Sequence, residues 1–311
     1  MRERERESGD VPREAPAAVP LRVHVVLVLV QAAFSTLSVL GKIAMGPTHH
    51  VSPSALAMVR IVGGAAFFAG AHLMLRSPRV GKLWDIAALA ALSLFGVVLN
   101  QALFLAGLRQ TSPISAILLV ATIPVFTAAI SAITGRERLS LRKASGILLA
   151  LFGAAYLMDF AVPQRGDAYV ILNALSYAVF TVFAKRLLGR YGALTVVAWI
   201  FGLGTLLFAP VGGLALAHEM PAWPTLTGIL VLLIVILPTV LGYAGNTWAL
   251  EKAPPTVVSA YVYLQPVMVT ILAWIVLGQR LDLRAAAAGI LIFAGVGIVA
   301  TSRPPPPKPA I

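Results

Sequence analysis

The segment FLAGLRQTSP at 104–113 leads out of one long apolar run and into the next, and NTWALEKAPP at 246–255 does the same 142 residues later. Two further pairs keep the same order at the same spacing: Pro124 with Pro266, and ERLSLR at 137–142 with QRLDLR at 279–284. Chance could supply one such match, but an ordered series indicates an internal duplication, as found in many transporters. The sequence therefore predicts two related halves.

The apolar runs predict an all-α integral membrane protein. Hydrophobic residues make up 59 % of the chain and charged residues 12 %, whereas soluble domains are about half apolar and a quarter charged. A helix needs about 20 apolar residues to cross a bilayer. Ten such runs are present, at approximately 22–44, 53–75, 84–107, 112–134, 142–160, 168–188, 192–217, 225–250, 255–277 and 284–301.

Five spans per half is an odd number, so the second half must cross the membrane in the opposite sense. The two halves are then inverted five-helix repeats, predicted at 21–160 and 161–301. Residues 1–20 are predicted to form a disordered charged tail and not a signal peptide. Residues 302–311 are predicted to form a Pro-rich tail.

The distribution of Lys and Arg predicts the orientation. On the side of the N-terminus lie eighteen of these residues, and on the opposite side five. Since cytoplasmic loops are enriched in Lys and Arg, both termini are predicted to be cytoplasmic. The net charge of +12 falls mainly in these short loops, which argues against nucleic acid as a partner.

Several positions resemble the drug/metabolite transporter superfamily, in its ten-helix branch of two EamA-type repeats. The matching features are Lys42 ending the first helix, Arg60 in the second, the turn Leu108-x-x-Thr-Ser-Pro113, Pro124 and Glu137-Arg-Leu, with Pro255, Pro266 and Gln279-Arg-Leu in the second half. Gln279 departs from the family pattern, which has glutamate there. The resemblance covers roughly 22–301.

The resemblance implies a secondary transporter in the cell membrane that works by alternating access and, in bacteria, usually exports from the cytoplasm. Its substrates would be small metabolites, amino-acid-like compounds or drugs, and no cofactor is implied. The sequence leaves open whether the protein is a monomer or a homodimer.

Polar and aromatic side chains inside the predicted spans are the candidate substrate contacts, since polar groups are costly in hydrocarbon and normally face the bundle interior. These candidates are Arg60, Asn100, Gln101, Tyr177, Tyr243, Asn246, Tyr261 and Gln265. The competing interpretation is that they pack or hydrogen-bond between helices. For Arg60 the alternatives to an anion contact are snorkelling to the headgroups and a structural hydrogen bond.

Other function classes lack their motifs. No carboxylate lies in the middle of a predicted span, which disfavours proton or sodium coupling through such a group. The chain has no cysteine and no Gly-x-x-x-x-Gly-Lys loop, and His49-His50 lacks metal-ligand spacing. A channel-like facilitator is the main alternative, and a membrane enzyme is a weaker one.

Overall fold

The computed structural model describes residues 20–135, 141–157, 165–252 and 261–301. Throughout these residues the regular structure is helical. Seven helices are long and apolar enough to cross a membrane, and three shorter apolar helices lie at 144–157, 261–277 and 283–295. The predicted all-α class is confirmed, while the count of ten spans stays a prediction. Apart from Pro20, the two predicted tails lie outside the described residues.

Counting adjoining helical turns as one helix, the described residues form ten helices. In chain order they are α1 (Leu21–Ala44), α2 (Pro53–Met74), α3 (Leu83–Gln110), α4 (Pro113–Ile133), α5 (Leu141–Leu157), α6 (Arg165–Tyr191), α7 (Ala193–Ala222), α8 (Thr225–Lys252), α9 (Leu264–Leu277) and α10 (Leu283–Thr301). Every predicted run overlaps one of them.

Three of the helices contain a wide π-helical turn. In α7 it is Ala209–Gly213, and in α3 and α8 it lies near the middle of the helix. The turn is Leu94–Leu99 in α3 and Val235–Leu241 in α8, about 142 residues later. The turn in α8 contains Pro238, which has no backbone N–H to donate to the preceding turn. Irregular backbone of this kind persists at membrane depth only where protein or a water-filled cavity surrounds it.

The fourth helix of each half is also irregular near a proline. α4 is interrupted between Val120 and Ile123, just before Pro124. A 3₁₀ turn, Tyr261–Tyr263, leads into α9 just before Pro266. Proline is tolerated in the first turn of a helix, where its missing N–H would have no partner. The irregular turns of α3 and α4 thus recur in α8 and α9 at the spacing that the sequence duplication shows.

Two helix pairs run antiparallel in close contact. In the pair α2–α7, a Cβ at Gly64 would lie 2.5 Å from the Phe201 ring, and one at Gly212 would lie 2.8 Å from Met58. Because the position in α7 rises as the position in α2 falls, the helices point in opposite directions. The helices α5 and α10 are also antiparallel, because Gly146 packs against Ile298 and Gly153 packs against Ile292.

The first helix of each half packs against the other half. α1 lies against α8 and α9, and α6 lies against α3 and α4. If each helix is replaced by its equivalent in the other half, α1 by α6, α8 by α3 and α9 by α4, the contacts of α1 become the contacts of α6. The centre of the bundle therefore lies where α1 and α6 meet these partners, with α2 and α7 alongside.

We expect Gly295→Ala to destabilise the α5–α10 pair. A Cβ at Gly295 would lie 2.5 Å from the backbone nitrogen of Ala150 and from the carbonyl oxygen of Gly146, so the helices must separate. Overpacking costs about 1–3 kcal/mol, and the melting temperature of the purified protein in detergent should fall.

Gly297→Ala is the matched control on the same helix, because a Cβ there meets no atom of the described residues within 4 Å. Its melting temperature should stay unchanged or rise slightly, since alanine favours helix. Equal melting temperatures for the two variants would contradict this packing.

Candidate functional site

Arg60 lies inside the bundle, about two turns along α2. The helix starts at Pro53, with the Ser52 side chain accepting from the Ala55 N–H. Only 3 % of Arg60 is exposed, which rules out snorkelling to the headgroups. Its Nε donates to Thr239 Oγ1 at 3.0 Å. The structural hydrogen bond considered from the sequence is therefore present.

This hydrogen bond leaves most of the guanidinium unpaired. Arginine carries five N–H donors, and the four on Nη1 and Nη2 have no acceptor among the described residues. No carboxylate of the described chain forms an ion pair with Arg60. A buried cation without a partner costs several kcal/mol or more. The site is therefore built to receive an acceptor, and an anion would suit it best.

One tyrosine, Tyr243 of α8, lies about one turn beyond Thr239 and within electrostatic reach of Arg60. A second, Tyr177 of α6, lies within electrostatic reach of Tyr243. Both tyrosines keep part of their surface accessible. We call Arg60, Tyr177, Tyr243 and Thr239 the Arg60 cluster.

The ring of Tyr243 is held by two phenylalanines in edge-to-face contacts. Its centroid lies 5.7 Å from that of Phe34 and 5.0 Å from that of Phe201, within the range that favours such pairs. Phe34 packs directly on Gly242, where a Cβ would lie 2.6 Å from the ring. A larger residue at that glycine would push Phe34, and with it Tyr243, out of place.

Gln101 of α3 is the most deeply buried of the predicted amide contacts. It is 2 % exposed, and neither its amide oxygen nor its amide nitrogen has a hydrogen-bond partner among the described residues. Leaving a buried polar group unpaired costs about 1–3 kcal/mol. Gln101 is thus available to a ligand or to water.

The neighbouring Asn100 takes part in the packing of α3 on α6. Its backbone oxygen accepts from Asn173 Nδ2 at 2.6 Å, and the Phe95 oxygen accepts from Ser176 Oγ at 2.7 Å. Both carbonyls belong to or border the π-helical turn of α3. Side chains of α6 thus satisfy the irregular backbone of α3.

Two of the predicted contacts join α1 to α9 and to the 3₁₀ turn that precedes it. Gln265 Nε2 donates to Gln31 Oε1 at 2.6 Å, and the Tyr261 hydroxyl hydrogen-bonds His24 Nδ1. Asn246 is half-buried on α8, about one turn beyond Tyr243. The structure therefore brings Arg60 and Tyr243 close together, with Tyr177 within electrostatic reach of Tyr243, and gives Gln265 and Tyr261 partners within the protein.

Polar contacts between the halves are present at both ends of the α2–α7 pair. At one end Asp85 accepts from Arg190 Nη1 at 2.7 Å and from the Tyr191 hydroxyl. At the other end His49 Nδ1 hydrogen-bonds Thr227 Oγ1 at 2.7 Å. The carboxylate Asp85 is thus occupied at the end of the bundle, far along α3 from Gln101.

Lys42 has a role in capping α3. Its Nζ donates to the carbonyl oxygens of Leu108, Arg109 and Thr111 at 2.7–2.9 Å. A cation at a helix C-terminus satisfies free carbonyls and complements the helix dipole. A cavity of about 590 Å³ lies beside it, lined by the turn from α3 into α4 and by Leu277 and Gln279.

Thr239 is the member of the Arg60 cluster that the sequence analysis missed. It lies in an apolar run, and a lone threonine there is most often a packing residue. The available signal was its position directly after Pro238, since a proline leaves a carbonyl that a neighbouring hydroxyl can satisfy.

A polytopic helical bundle that buries a cation without a charged partner among the described residues suits a membrane transporter. The EamA-like transporter family model matches the chain twice, at residues 21–158 and 164–301. The chain belongs to this family, and it is a multi-pass protein of the cell membrane.

Several relatives carry transporter names. An uncharacterized transporter of Archaeoglobus fulgidus is 30 % identical over 67 % of this chain and 74 % of its own length. A protein of Streptantibioticus cattleyicolor named "Probable terminal-alkyne amino-acid exporter" is 27 % identical over 80 % of this chain and 84 % of its own. An inner membrane transporter of Escherichia coli, YedA, is 22 % identical over 83 % and 85 %.

The fold also matches a protein of known crystal structure. The TM-score is 0.60 at 20 % identity, over 90 % of this chain and 97 % of the other. At this identity the match shows a shared fold.

We expect Lys42→Met to lower the melting temperature of the protein in detergent, because three carbonyls at the end of α3 lose their donor. Hydrogen bonds to a charged group contribute about 1.5–3 kcal/mol. Lys185→Met, at the equivalent position of the second half, is the control. Lys185 is exposed and has no hydrogen bond to the described residues. Matching melting temperatures for both variants would rule out the cap.

Proposed function

We propose that this protein is a secondary transporter that exports small carboxylate-bearing metabolites, of the amino-acid type, from the cytoplasm. Transport proceeds by alternating access through a cavity between two inverted five-helix repeats. The single observation that carries the proposal is the buried guanidinium of Arg60 near Tyr243, whose two Nη groups have no acceptor among the described residues.

The architecture supports ten transmembrane helices in two inverted repeats, and the excess of Lys and Arg on the side of the N-terminus supports cytoplasmic termini. The family model matches each half separately. Antiparallel packing of α2 on α7 and of α5 on α10 is what a two-fold axis in the membrane plane requires of equivalent helices. The π-helical turns recur in α3 and α8. Two such halves can exchange conformations and present one site to either face.

The Arg60 cluster supports the substrate class. A guanidinium binds a carboxylate through two parallel N–H···O bonds, and both Nη groups are available for them. Gln101 offers a further donor and acceptor. The amino-acid type follows the name of the Streptantibioticus cattleyicolor relative. We propose that neither a cofactor nor nucleic acid takes part, and that the protein is not an enzyme.

Arg60→Ala and Arg60→Lys test the carboxylate contact. The purified protein is placed in liposomes, and counterflow is measured with L-leucine, L-phenylalanine, L-methionine and L-propargylglycine, each beside its carboxamide. Wild type should transport at least one acid with saturation and prefer it to the amide. Both variants should raise the half-saturation concentration for the acid about tenfold or more, because a charged hydrogen bond contributes about 1.5–3 kcal/mol and lysine lacks the planar fork.

Arg109→Ala is the control, since Arg109 is an exposed arginine at the end of α3, and it should behave as wild type. Unchanged selectivity in Arg60→Ala would discard Arg60 as a substrate contact. If the conductance instead rises linearly with voltage and does not saturate with substrate, the protein is a channel and not a transporter.

Alkaline phosphatase fusions test the three short helices α5, α9 and α10, because the enzyme matures only outside the cytoplasm. Ten spans with cytoplasmic termini predict activity for fusions after Gln164 and after Gly278, and none after Gly135 or at the C-terminus. Inactive fusions at Gln164 and Gly278 would mean that these helices do not cross.

A further inference from the structure

We propose that Thr239 is the positioning residue of the Arg60 cluster, which aims the guanidinium so that its Nη1–Nη2 edge receives a carboxylate. This inference rests on the proposed function and adds a specificity determinant to it. Thr239 is 0 % exposed, so it acts through Arg60 and does not itself touch a substrate.

The hydrogen bonds of Thr239 follow from the proline beside it. Pro238 has no N–H, and in an α-helix its N–H would pair with the carbonyl of Ile234 four residues earlier. The π-helical turn Val235–Leu241 surrounds this break. Thr239 Oγ1 donates to the Ile234 oxygen at 3.3 Å. The threonine hydroxyl thereby helps to satisfy a carbonyl that the proline leaves without its usual donor.

This donation fixes what the hydroxyl can offer to Arg60. A hydroxyl has one hydrogen and two lone pairs, so with its hydrogen on Ile234 it faces Arg60 as an acceptor. Arg60 Nε donates to it at 3.0 Å. The result is a directed chain from Arg60 Nε through Thr239 Oγ1 to the Ile234 oxygen, in which each bond polarises the next.

Because Nε of Arg60 is already hydrogen-bonded, only one edge of the guanidinium remains available to bind a carboxylate. A carboxylate can bind arginine either across Nε and one Nη or across Nη1 and Nη2. With Nε held by Thr239, the first mode is blocked, and the Nη1–Nη2 edge is left for two parallel N–H···O bonds. This geometry favours a planar anion with two oxygens over a carboxamide, which has one acceptor oxygen and a repelled NH₂ group.

The contact also joins the two halves of the protein. Arg60 belongs to α2 and Thr239 to α8, and the helices approach closely beside it. A Cβ at Gly63 would lie 2.5 Å from Cγ1 of Val235, at the start of the same π-helical turn. The guanidinium is therefore aimed only while α2 and α8 are in contact.

The experiment compares Thr239→Val, Thr239→Ser and Thr205→Val in the counterflow assay with the same four amino acids and their carboxamides. Valine keeps the shape of threonine but removes the hydroxyl, and serine restores the hydroxyl. Thr205 is the matched control, since its Oγ1 donates to the Phe201 oxygen at 3.0 Å within α7, without a contact to Arg60.

We expect Thr239→Val to raise the half-saturation concentration for the transported acid about tenfold, with the maximal rate and the values for the amide within twofold of wild type. Thr239→Ser and Thr205→Val should behave as wild type. A purely structural role of Thr239 would instead lower the rates for acid and amide alike.

If Thr239→Val fails to fold, the double variant Pro238→Ala/Thr239→Val replaces it, compared with Pro238→Ala. Alanine returns the N–H that pairs with Ile234, so only the contact with Arg60 is lost, and the acid should again lose affinity selectively. A wild-type acid preference that survives in the valine variants would overturn the inference and leave the proposed function standing. If the wild type shows no saturable counterflow, both the proposed function and this inference are contradicted.

Discussion

The hydrogen bond from Arg60 to Thr239 joins a buried cation of one half to a broken helix of the other. A charge at this depth is tolerated only where something compensates it, and the described residues supply one neutral acceptor and no carboxylate. The remaining donors give the interior of the bundle its chemical preference for an anion. The position of Tyr243, between Phe34 and Phe201, depends on the same crossing of helices.

The broken helices and the cation belong to one arrangement. In lipid every backbone group must find a partner within the protein, so a π-helical turn persists only where side chains or a cavity satisfy it. Ser176 and Asn173 of α6 do this for α3, and Thr239 does it within α8. The π-helical turns of α3 and α8 each lie against helices of the other half, where the proposed cavity also lies. The two halves are related in plan but differ in chemistry, since only α2 carries the arginine.

The sequence predicted the helices well because each apolar run had to be long enough for a membrane, and the runs agree with Leu21–Ala44 and Pro53–Met74 to within a residue. It also singled out Arg60, because a charge within a span is costly. It did not place Thr239 beside Arg60, since a pairing 179 residues apart depends on how α2 crosses α8. Nor did it pair Gln265 with Gln31, because the face that α9 turns towards α1 is set by packing.

The central claim is that the Arg60 cluster lines a cavity that opens to either side of the membrane and holds a carboxylate. The chain has no cysteine, so Tyr177→Cys introduces a single thiol at a member of the Arg60 cluster. Its modification by the membrane-impermeant reagent MTSES is measured in right-side-out and inside-out vesicles, with and without the transported amino acid. The account predicts modification from both sides and protection by the amino acid but not by its amide. A thiol that reacts from neither side, or that the amino acid leaves unprotected, would contradict it.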